Sequence, residues 1–471
     1  MAANPRIATL VQWASSHGAV LNNHLEVHDD PVTGFSFRVK DGHALPAWET
    51  VVSLPTSLSL SYLNAVSQGC FHPELVSRTP PHVVGRLFLV REYLRGRDSF
   101  WWPYIQALPQ PGDKVSWALA PFWREDEAEL LEGTNVEVGL EKIRRDVKRE
   151  YEDVAALLGL HHADKEGDFV RAVTVQLYQW AYCIFSSRSF RPSLVLSPAT
   201  AETLPAGVGM DDFSVLLPLF DIGNHDMTVE ARWELRQGGG KDACELSVGR
   251  SHGAGEQVFN NYSMKTNAEL LLGYGFMVPA TEGLHNDYTH VRKRTAAPAT
   301  SGVAADPGEY YISRRPMDDP SSLLGRNRQA LVVELPAGRP MLGAFRHVQP
   351  DMVWDIFCTL AESQGTSAAE LISTEKEGVV EGDEEEQQRE RQRKLFSGAV
   401  DEECGPFLEQ TVAIIQHKML QELERLEETE VELVAGDEDE LSGNQKLALE
   451  YRRRCRAVLE NALEAMETDI E

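Results

Sequence analysis

Cysteine is scarce in this chain of 471 residues. The six present, Cys70, Cys183, Cys244, Cys358, Cys404 and Cys455, are scattered, with no Cys-x-x-Cys pair and no close grouping with histidine. That excludes a disulfide framework and a readable zinc site, and predicts reduced thiols in a cytosolic compartment. Long apolar runs are missing as well. The longest, around Val173 to Phe185, is broken by Gln176 and Gln179 and falls short of the ~20 residues a membrane span requires. Met1 to Thr9 hold one arginine and no apolar segment, so neither a secretory leader nor a transit peptide is expected. The expected location is the cytoplasm, with the nucleus left open. Basic residues are outnumbered, 45 Lys and Arg against 73 Asp and Glu, for a net charge of −28. Residues 401–471 alone carry 20 acidic and 7 basic side chains. A binder of phosphate backbone needs the opposite balance, so direct nucleic-acid binding is not expected and a basic protein partner fits better. No Gly-x-Ser-x-Gly elbow and no Walker A loop occurs, which leaves hydrolase and nucleoside-triphosphatase readings without support. No internal repeat is visible at solenoid periods.

What is present is an ordinary globular composition, 42% apolar, with 24 prolines and 35 glycines. A strand is predicted over Thr50 to Leu54. Ala231, Trp233 and Leu235 alternate with Arg232, Glu234 and Arg236, and after Gly238, Gly239 and Gly240 the residues Cys244, Leu246 and Val248 alternate with Glu245 and Ser247. This parity predicts a β-hairpin. Phe169, Val173, Leu177, Trp180 and Ile184 recur at steps of three and four, predicting a helix with Asp168 as its N-cap. A helical block therefore interrupts two β regions. From about Thr281 the pattern changes, through a loop-like stretch from Ala296 to Gly308 and then helical periodicity. A charged tract, Glu375 to Lys394, reads as a flexible, solvated insert. Two apolar stripes close the chain: Leu408, Val412, Ile415, Met419, Leu423 and Leu426, then Leu447, Tyr451, Cys455, Val458, Ala462 and Met466. With Gly436 and Gly443 between them they predict a helical hairpin. His161-His162 is expected on the surface rather than at a metal, since adjacent helical histidines diverge. The short basic runs Arg292-Lys293-Arg294 and Arg452-Arg453-Arg454 read as solvated faces.

The informative residues come in order. First is Asp221-Ile222-Gly223-Asn224-His225, next Gly255-Glu256-Gln257-Val258 leading to Tyr262, and last Asn267-Ala268-Glu269-Leu270-Leu271 leading to Tyr274-Gly275-Phe276. Taken singly, each has a bland reading: Asn224-His225 closes a turn, His225 is a hydrogen-bonded core histidine, and Tyr262 lines the core. Taken together they closely resemble the catalytic half of SET-domain methyltransferases, in the subfamily similar to the RuBisCO large-subunit lysine methyltransferase. Upstream, Glu92-Tyr93 and Ser99-Phe100-Trp101-Trp102-Pro103-Tyr104-Ile105-Gln106-Ala107-Leu108-Pro109 resemble that subfamily's N-terminal signature. Trp180-Ala181 and Ser187-Arg188-Ser189-Phe190 resemble the end of its helical insert, and Ala448-Leu449-Glu450-Tyr451-Arg452 its helical substrate-binding domain. The likeness spans nearly the whole chain.

The resemblance implies an α+β protein. A mostly β SET fold would occupy 1–280, with a helical insert at about 85–200, and an all-α substrate-binding domain 281–471, with the acidic, flexible tract at 375–394. It implies transfer of a methyl group from S-adenosyl-L-methionine to a protein side chain, with the lysine ε-amine the expected acceptor. Such in-line displacement relies on positioning and electrostatics, so no Cys or Ser nucleophile is required. By resemblance Asn224 and His225 hold the cofactor's adenine, Arg188 lies near its carboxylate, and Tyr262 is catalytic and touches the cofactor. Tyr274 and Phe276 line the substrate channel, Phe276 also facing the cofactor, and no metal is implied. Gly34 and Phe35 match the family's Gly-x-Gly loop, whose second glycine is Ser36 here. Only glycine adopts some backbone conformations freely, so Ser36 bears on the cofactor geometry. The expected partner is a protein, basic and ribosomal or histone-like, with no membrane partner; a monomer is expected. Three alternatives stay open: a histidine acceptor, an inactive scaffold that binds proteins, and a helical adaptor with a vestigial SET half.

Overall fold

Thr50, Val51 and Val52 open a strand because β-branched side chains suit a pleated, buried position. In the computed structural model that strand runs Thr50–Pro55 and lies inside a four-stranded antiparallel sheet, between Val20–Leu21 and Ala243–Val248, with Ala231–Arg236 at the far edge. The structure describes residues 4–161, 167–237, 242–292, 309–326, 333, 335, 340–373, 384–430 and 441–467. They form two units: residues 1–122, 142–263 and 273–275 in the first, and 123–141, 264–272 and 276–471 in the second. Among them no helix is long and apolar enough to cross a membrane.

In the first unit the hairpin parity holds. Trp233 pairs with Leu246 and Leu235 with Cys244, and Cys244, Leu246 and Val248 face the core. Gly238, Gly239 and Gly240 lie outside the described residues. Gln257–Val258, Gly34–Val39 and Leu25–Asp30 make a second, antiparallel sheet, and Leu60–Ser61, Val215–Leu216 and Ser189–Phe190 a third. Pro81–Arg95 starts with proline at its first turn and stops at Gly96, whose φ is +56°. The predicted helix over 169–184 is two helices, Gly167–Ala172 and Val175–Arg188. Thr174, not Asp168, caps the second by accepting from the Leu177 N–H, and a capping hydroxyl at this point restarts the helix.

In the second unit the two apolar stripes lie on helices Gly405–Glu428 and Gly443–Glu467, burying Ile415, Met419 and Leu426 on one and Tyr451, Cys455, Val458, Ala462 and Met466 on the other. Gly443 opens the second helix, and Gly436 lies outside the described residues. An antiparallel pair that the sequence reading omits, Tyr288–Arg292 with Glu309–Ser313, joins the helices. Residues 293–308 between these strands, with Lys293-Arg294, lie outside the described residues, as do His162 and residues 374–383 of the charged tract. The rest of that tract is helical, Glu384–Phe396, where the composition predicts a flexible insert. Glutamates fill its first turn, Arg393 and Lys394 its last, and Leu395 and Phe396 are buried.

Residues 123–141, inside the expected insert, pack with the C-terminal helices. Arg425 pairs with Glu137 at 2.6 Å, Ser442 donates to Glu127 at 2.7 Å, and Tyr451 donates to Asn135 at 2.7 Å. Gly133 has φ +75°, and a Cβ there would sit 2.2 Å from Thr429 Oγ1 and 2.6 Å from the Arg425 carbonyl. Arg452, expected on a solvated face, is buried instead. Its guanidinium donates to the carbonyls of Glu132 and Leu426 and, at 2.8 Å, to Thr429 Oγ1, closing the end of helix Gly405–Glu428.

Candidate active site

The strand Val215–Leu216 delivers the chain into a tight passage. Leu219 takes φ +71°, a 3-10 turn covers Phe220–Ile222, and Gly223 follows. A Cβ on Gly223 would lie 3.1 Å from Asn260 Cβ and 3.5 Å from the Phe37 ring, so glycine is what lets two segments cross here. Beyond it the 224–226 segment runs parallel to the chain after Gln257–Val258. Asn260 N donates to Asn224 O at 2.7 Å, and Asp226 N donates to Asn260 O at 2.9 Å. Trp233 Nε1 donates to Asn260 Oδ1 at 2.9 Å, tying this crossing to the large sheet.

Tyr262 is fixed on three sides. Its backbone N–H donates to His225 Nδ1 at 3.0 Å, which makes Nδ1 an acceptor. Its hydroxyl donates to the Gly223 carbonyl at 2.9 Å. Its ring stacks on His225, centroids 5.0 Å apart and 14° from parallel, and on Tyr274, at 5.3 Å and 26°. Burial pushes the phenol well above its ordinary pKa, with Asp221 and Tyr274 adding to the rise and Arg188 opposing it. The hydroxyl therefore stays protonated, its hydrogen committed to Gly223 and its lone pairs left to accept.

Around Tyr262 lies a charged group, its Asp221 buried and its Arg188 part-exposed. Tyr104 donates to Asp221 Oδ2 at 2.8 Å, and Arg188 Nη1 lies 3.5 Å from both that oxygen and the Asp221 carbonyl. Burial raises the Asp221 carboxyl, while Arg188 pulls it back. Burial weakens the Arg188 charge, yet Asp221, Tyr104 and Tyr262 leave the guanidinium above its ordinary value. Burial, and then the Asp221 charge, drives Tyr104 far up, so it acts as a donor throughout the working pH range.

The structure brings Asn224, His225, Tyr262, Tyr274 and the Gly34-Phe35 strand together in the first unit. Asn224 Nδ2 donates to the Phe35 carbonyl and to Gln257 Oε1, both at 3.3 Å. Gly34 has φ +71° and open space where a Cβ would be. Ser36 is different: the non-glycine positions with positive φ among the described residues are Trp48, Leu219 and Ser263. Ser36 therefore adopts a backbone conformation open to any residue. Its side chain is 1% exposed, with a hydroxyl that finds no partner, so it faces the interior. Phe276, half-buried, falls in the second unit. Gly223, Gln257, Asp221 and Tyr104 stand inside motifs legible in the sequence, but the motifs give them no role. Asp221 opens the Asp-x-x-Asn-His run and Tyr104 lies in the N-terminal signature, yet nothing in either motif shows that their side chains meet.

Arg188, whose hydrogen bonds among the described residues are two long ones, suits a ligand carboxylate, and Asn224 lies in the same unit with its amide hydrogens spent on Phe35 O and Gln257 Oε1. No cluster of three His, Cys, Asp or Glu side chains among the described residues could hold a metal.

The fold is that of the SET domain with a helical C-terminal region. It matches the crystal structure of the SET domain of LSMT bound to MeLysine and AdoHcy with a TM-score of 0.62 and 18% identity, covering 99% of this chain and 93% of that one. No protein-family model matches the chain. Among curated proteins it is similar to the protein-lysine N-methyltransferase EFM1 of Saccharomyces cerevisiae, 24% identical over 330 residues, 63% of this chain and 53% of that protein. It is also similar to the ribosomal lysine N-methyltransferase set10 of Schizosaccharomyces pombe, 28% over 299 residues, 61% of this chain and 50% of the relative. The human actin-histidine N-methyltransferase is 25% identical over 272 residues, 57% of this chain and 41% of the relative. The chain thus spans about half the length, or less, of the curated relatives it matches.

Proposed function

We propose that this chain is a protein-lysine N-methyltransferase that uses S-adenosyl-L-methionine. The observation that carries the reading is Tyr262, whose hydroxyl proton is held by the Gly223 carbonyl beside the Asn224-His225 crossing. A neutral hydroxyl so held offers lone pairs to the N–H of an incoming amine and orients the nitrogen lone pair. The bound cofactor supplies an electrophilic methyl group on a sulfonium. Arg188 pairs with the cofactor's carboxylate, and Asn224, His225, Gly34 and Phe35 line its nucleoside end. Tyr274 walls the acceptor channel through its stack on Tyr262. We assign the chemistry to residues 1–280 and the docking of a protein substrate to residues 281–471. The net charge of −28 supports a basic substrate, such as a ribosomal protein, met in the cytoplasm by a monomer.

A histidine acceptor is the second reading, favoured by the likeness to the actin-histidine enzyme. The lysine reading is preferred because the alignments with lysine-specific relatives are longer. Ser36 is the one sequence argument for the inactive-scaffold reading, and a backbone there without positive φ, open to any residue, favours the enzyme reading instead. The test is incubation of a cell lysate with the protein and methyl-labelled S-adenosylmethionine, followed by hydrolysis of the labelled band. Label recovered as methyllysine supports the proposal; label in methylhistidine replaces lysine with the second reading, and no labelled protein overturns both.

A further inference from the structure

Asp221 Oδ2 is shared unequally. Tyr104 holds it at 2.8 Å, while the Arg188 guanidinium stands off at 3.5 Å, although charge-assisted pairs of this kind close to about 2.7–2.9 Å when nothing opposes them. Both Tyr104 and Asp221 are buried, at 1% and 7% exposure, so the bond between them is shielded from water, while the Arg188 side chain is 29% exposed. We propose that Tyr104 is a positioning residue, which anchors the Asp221 carboxylate away from Arg188 and so keeps the guanidinium available to the carboxylate of the bound methyl donor. This rests on the proposed function and adds to it a specificity element for the donor's amino-acid tail.

Asp221 and the ligand's carboxylate compete for Arg188. A guanidinium has five donors in a fixed fork, and a free carboxylate close by would take the bidentate face that a ligand needs. In the first unit, Arg188 is the cation that faces Tyr262 and Asp221 is the anion that could neutralise it. Tyr104 sits on helix Trp102–Ile105, and its contact with this group runs through Asp221. Without its hydroxyl, Oδ2 has no other side-chain donor than Arg188 among the described residues, and the pair closes.

The test compares two ligands that share adenosine and a thioether but differ in the amino-acid tail: S-adenosylhomocysteine, which has the carboxylate, and 5′-methylthioadenosine, which lacks it. Each is titrated calorimetrically into the full chain and into Tyr104→Phe, with melting curves alongside. The expected result is about a tenfold loss of S-adenosylhomocysteine affinity, the worth of one charge-assisted hydrogen bond, and no change for 5′-methylthioadenosine. Parallel loss of both ligands, or loss of neither, overturns the proposal. Asp221→Asn is the second variant and keeps the test sharp if Tyr104→Phe melts early. It removes the competing charge, so the preference for S-adenosylhomocysteine over 5′-methylthioadenosine rises; a fall overturns the proposal. Binding of neither ligand by the wild type is a different failure, since it removes the proposed function itself.

Discussion

Removing one oxygen from Tyr262 separates a catalytic hydroxyl from a structural one. Tyr262→Phe keeps the ring, and with it the stacks on His225 and Tyr274 and the backbone bond from residue 262 to His225 Nδ1. It deletes the 2.9 Å bond to the Gly223 carbonyl and whatever the hydroxyl lone pairs would accept. The stability cost is that of one partly buried hydrogen bond, about 1 kcal/mol. The cost in rate is larger if the hydroxyl orients the acceptor amine, because that contact is made in the transition state: ~100-fold or more, equivalent to about 2.7 kcal/mol. Cofactor affinity should change little. The assay is single-turnover methyl transfer with donor pre-bound, alongside calorimetric affinity and melting temperature on one preparation. A variant that melts earlier yet transfers at the wild-type rate would refute the catalytic role and leave Tyr262 a core tyrosine.

Asn224→Ala should weaken S-adenosylmethionine binding at least tenfold while the fold persists, because the amide braces the Phe35 carbonyl and Gln257; equal affinity in calorimetry would remove Asn224 from the site. Ser36→Ala should stabilise the protein by about 1 kcal/mol in urea titration, since its buried hydroxyl has no partner, and a destabilised variant would contradict that environment. Gly133→Ala should destabilise by about 3 kcal/mol, through a positive φ and overlap with the Arg425 carbonyl; wild-type stability in denaturant would mean that the close packing is absent. His285 is fully buried with both ring nitrogens unpartnered, and burial, aided by Arg315, lowers its pKa to about 4. Between pH 6.5 and about 4 the unfolded chain therefore binds a proton that the folded chain refuses, so stability falls as pH falls, by on the order of 3 kcal/mol in all. His285→Phe should flatten that part of the stability profile, and an unchanged slope would count against it.

The parts of the fold legible in the sequence are those whose signal is local. Alternation at 231–236 and 243–248 gives the hairpin because one face of each strand is buried. The stripes from Leu408 and from Leu447 give two long helices for the same reason at helical spacing. The pair Tyr288–Arg292 and Glu309–Ser313 is not legible: Tyr288, Thr289 and Val291 are all buried, so no alternation shows, and the partner strand lies 16 residues beyond. Charge density misleads at Glu384–Phe396, where Glu385–Arg389 and Glu390–Arg393 pairs support a helix that mean hydropathy discounts. It misleads again at Arg452, whose partners are backbone carbonyls that no pattern displays. In the site, Asn224, His225 and Tyr262 can be read because motif order places them. Tyr104 acts from 117 residues away through Asp221, and only packing reveals it.

On the proposed function, the crossing at Gly223, with Asn224, His225, Arg188 and Tyr262 around it, binds a methyl donor. Calorimetric titration of the full chain with S-adenosylmethionine at neutral pH is the decisive experiment. Saturable binding of one molecule per chain is expected, abolished or greatly weakened in Asn224→Ala. A folded wild-type protein that shows no saturable heat, or that binds equally well without Asn224, would contradict it.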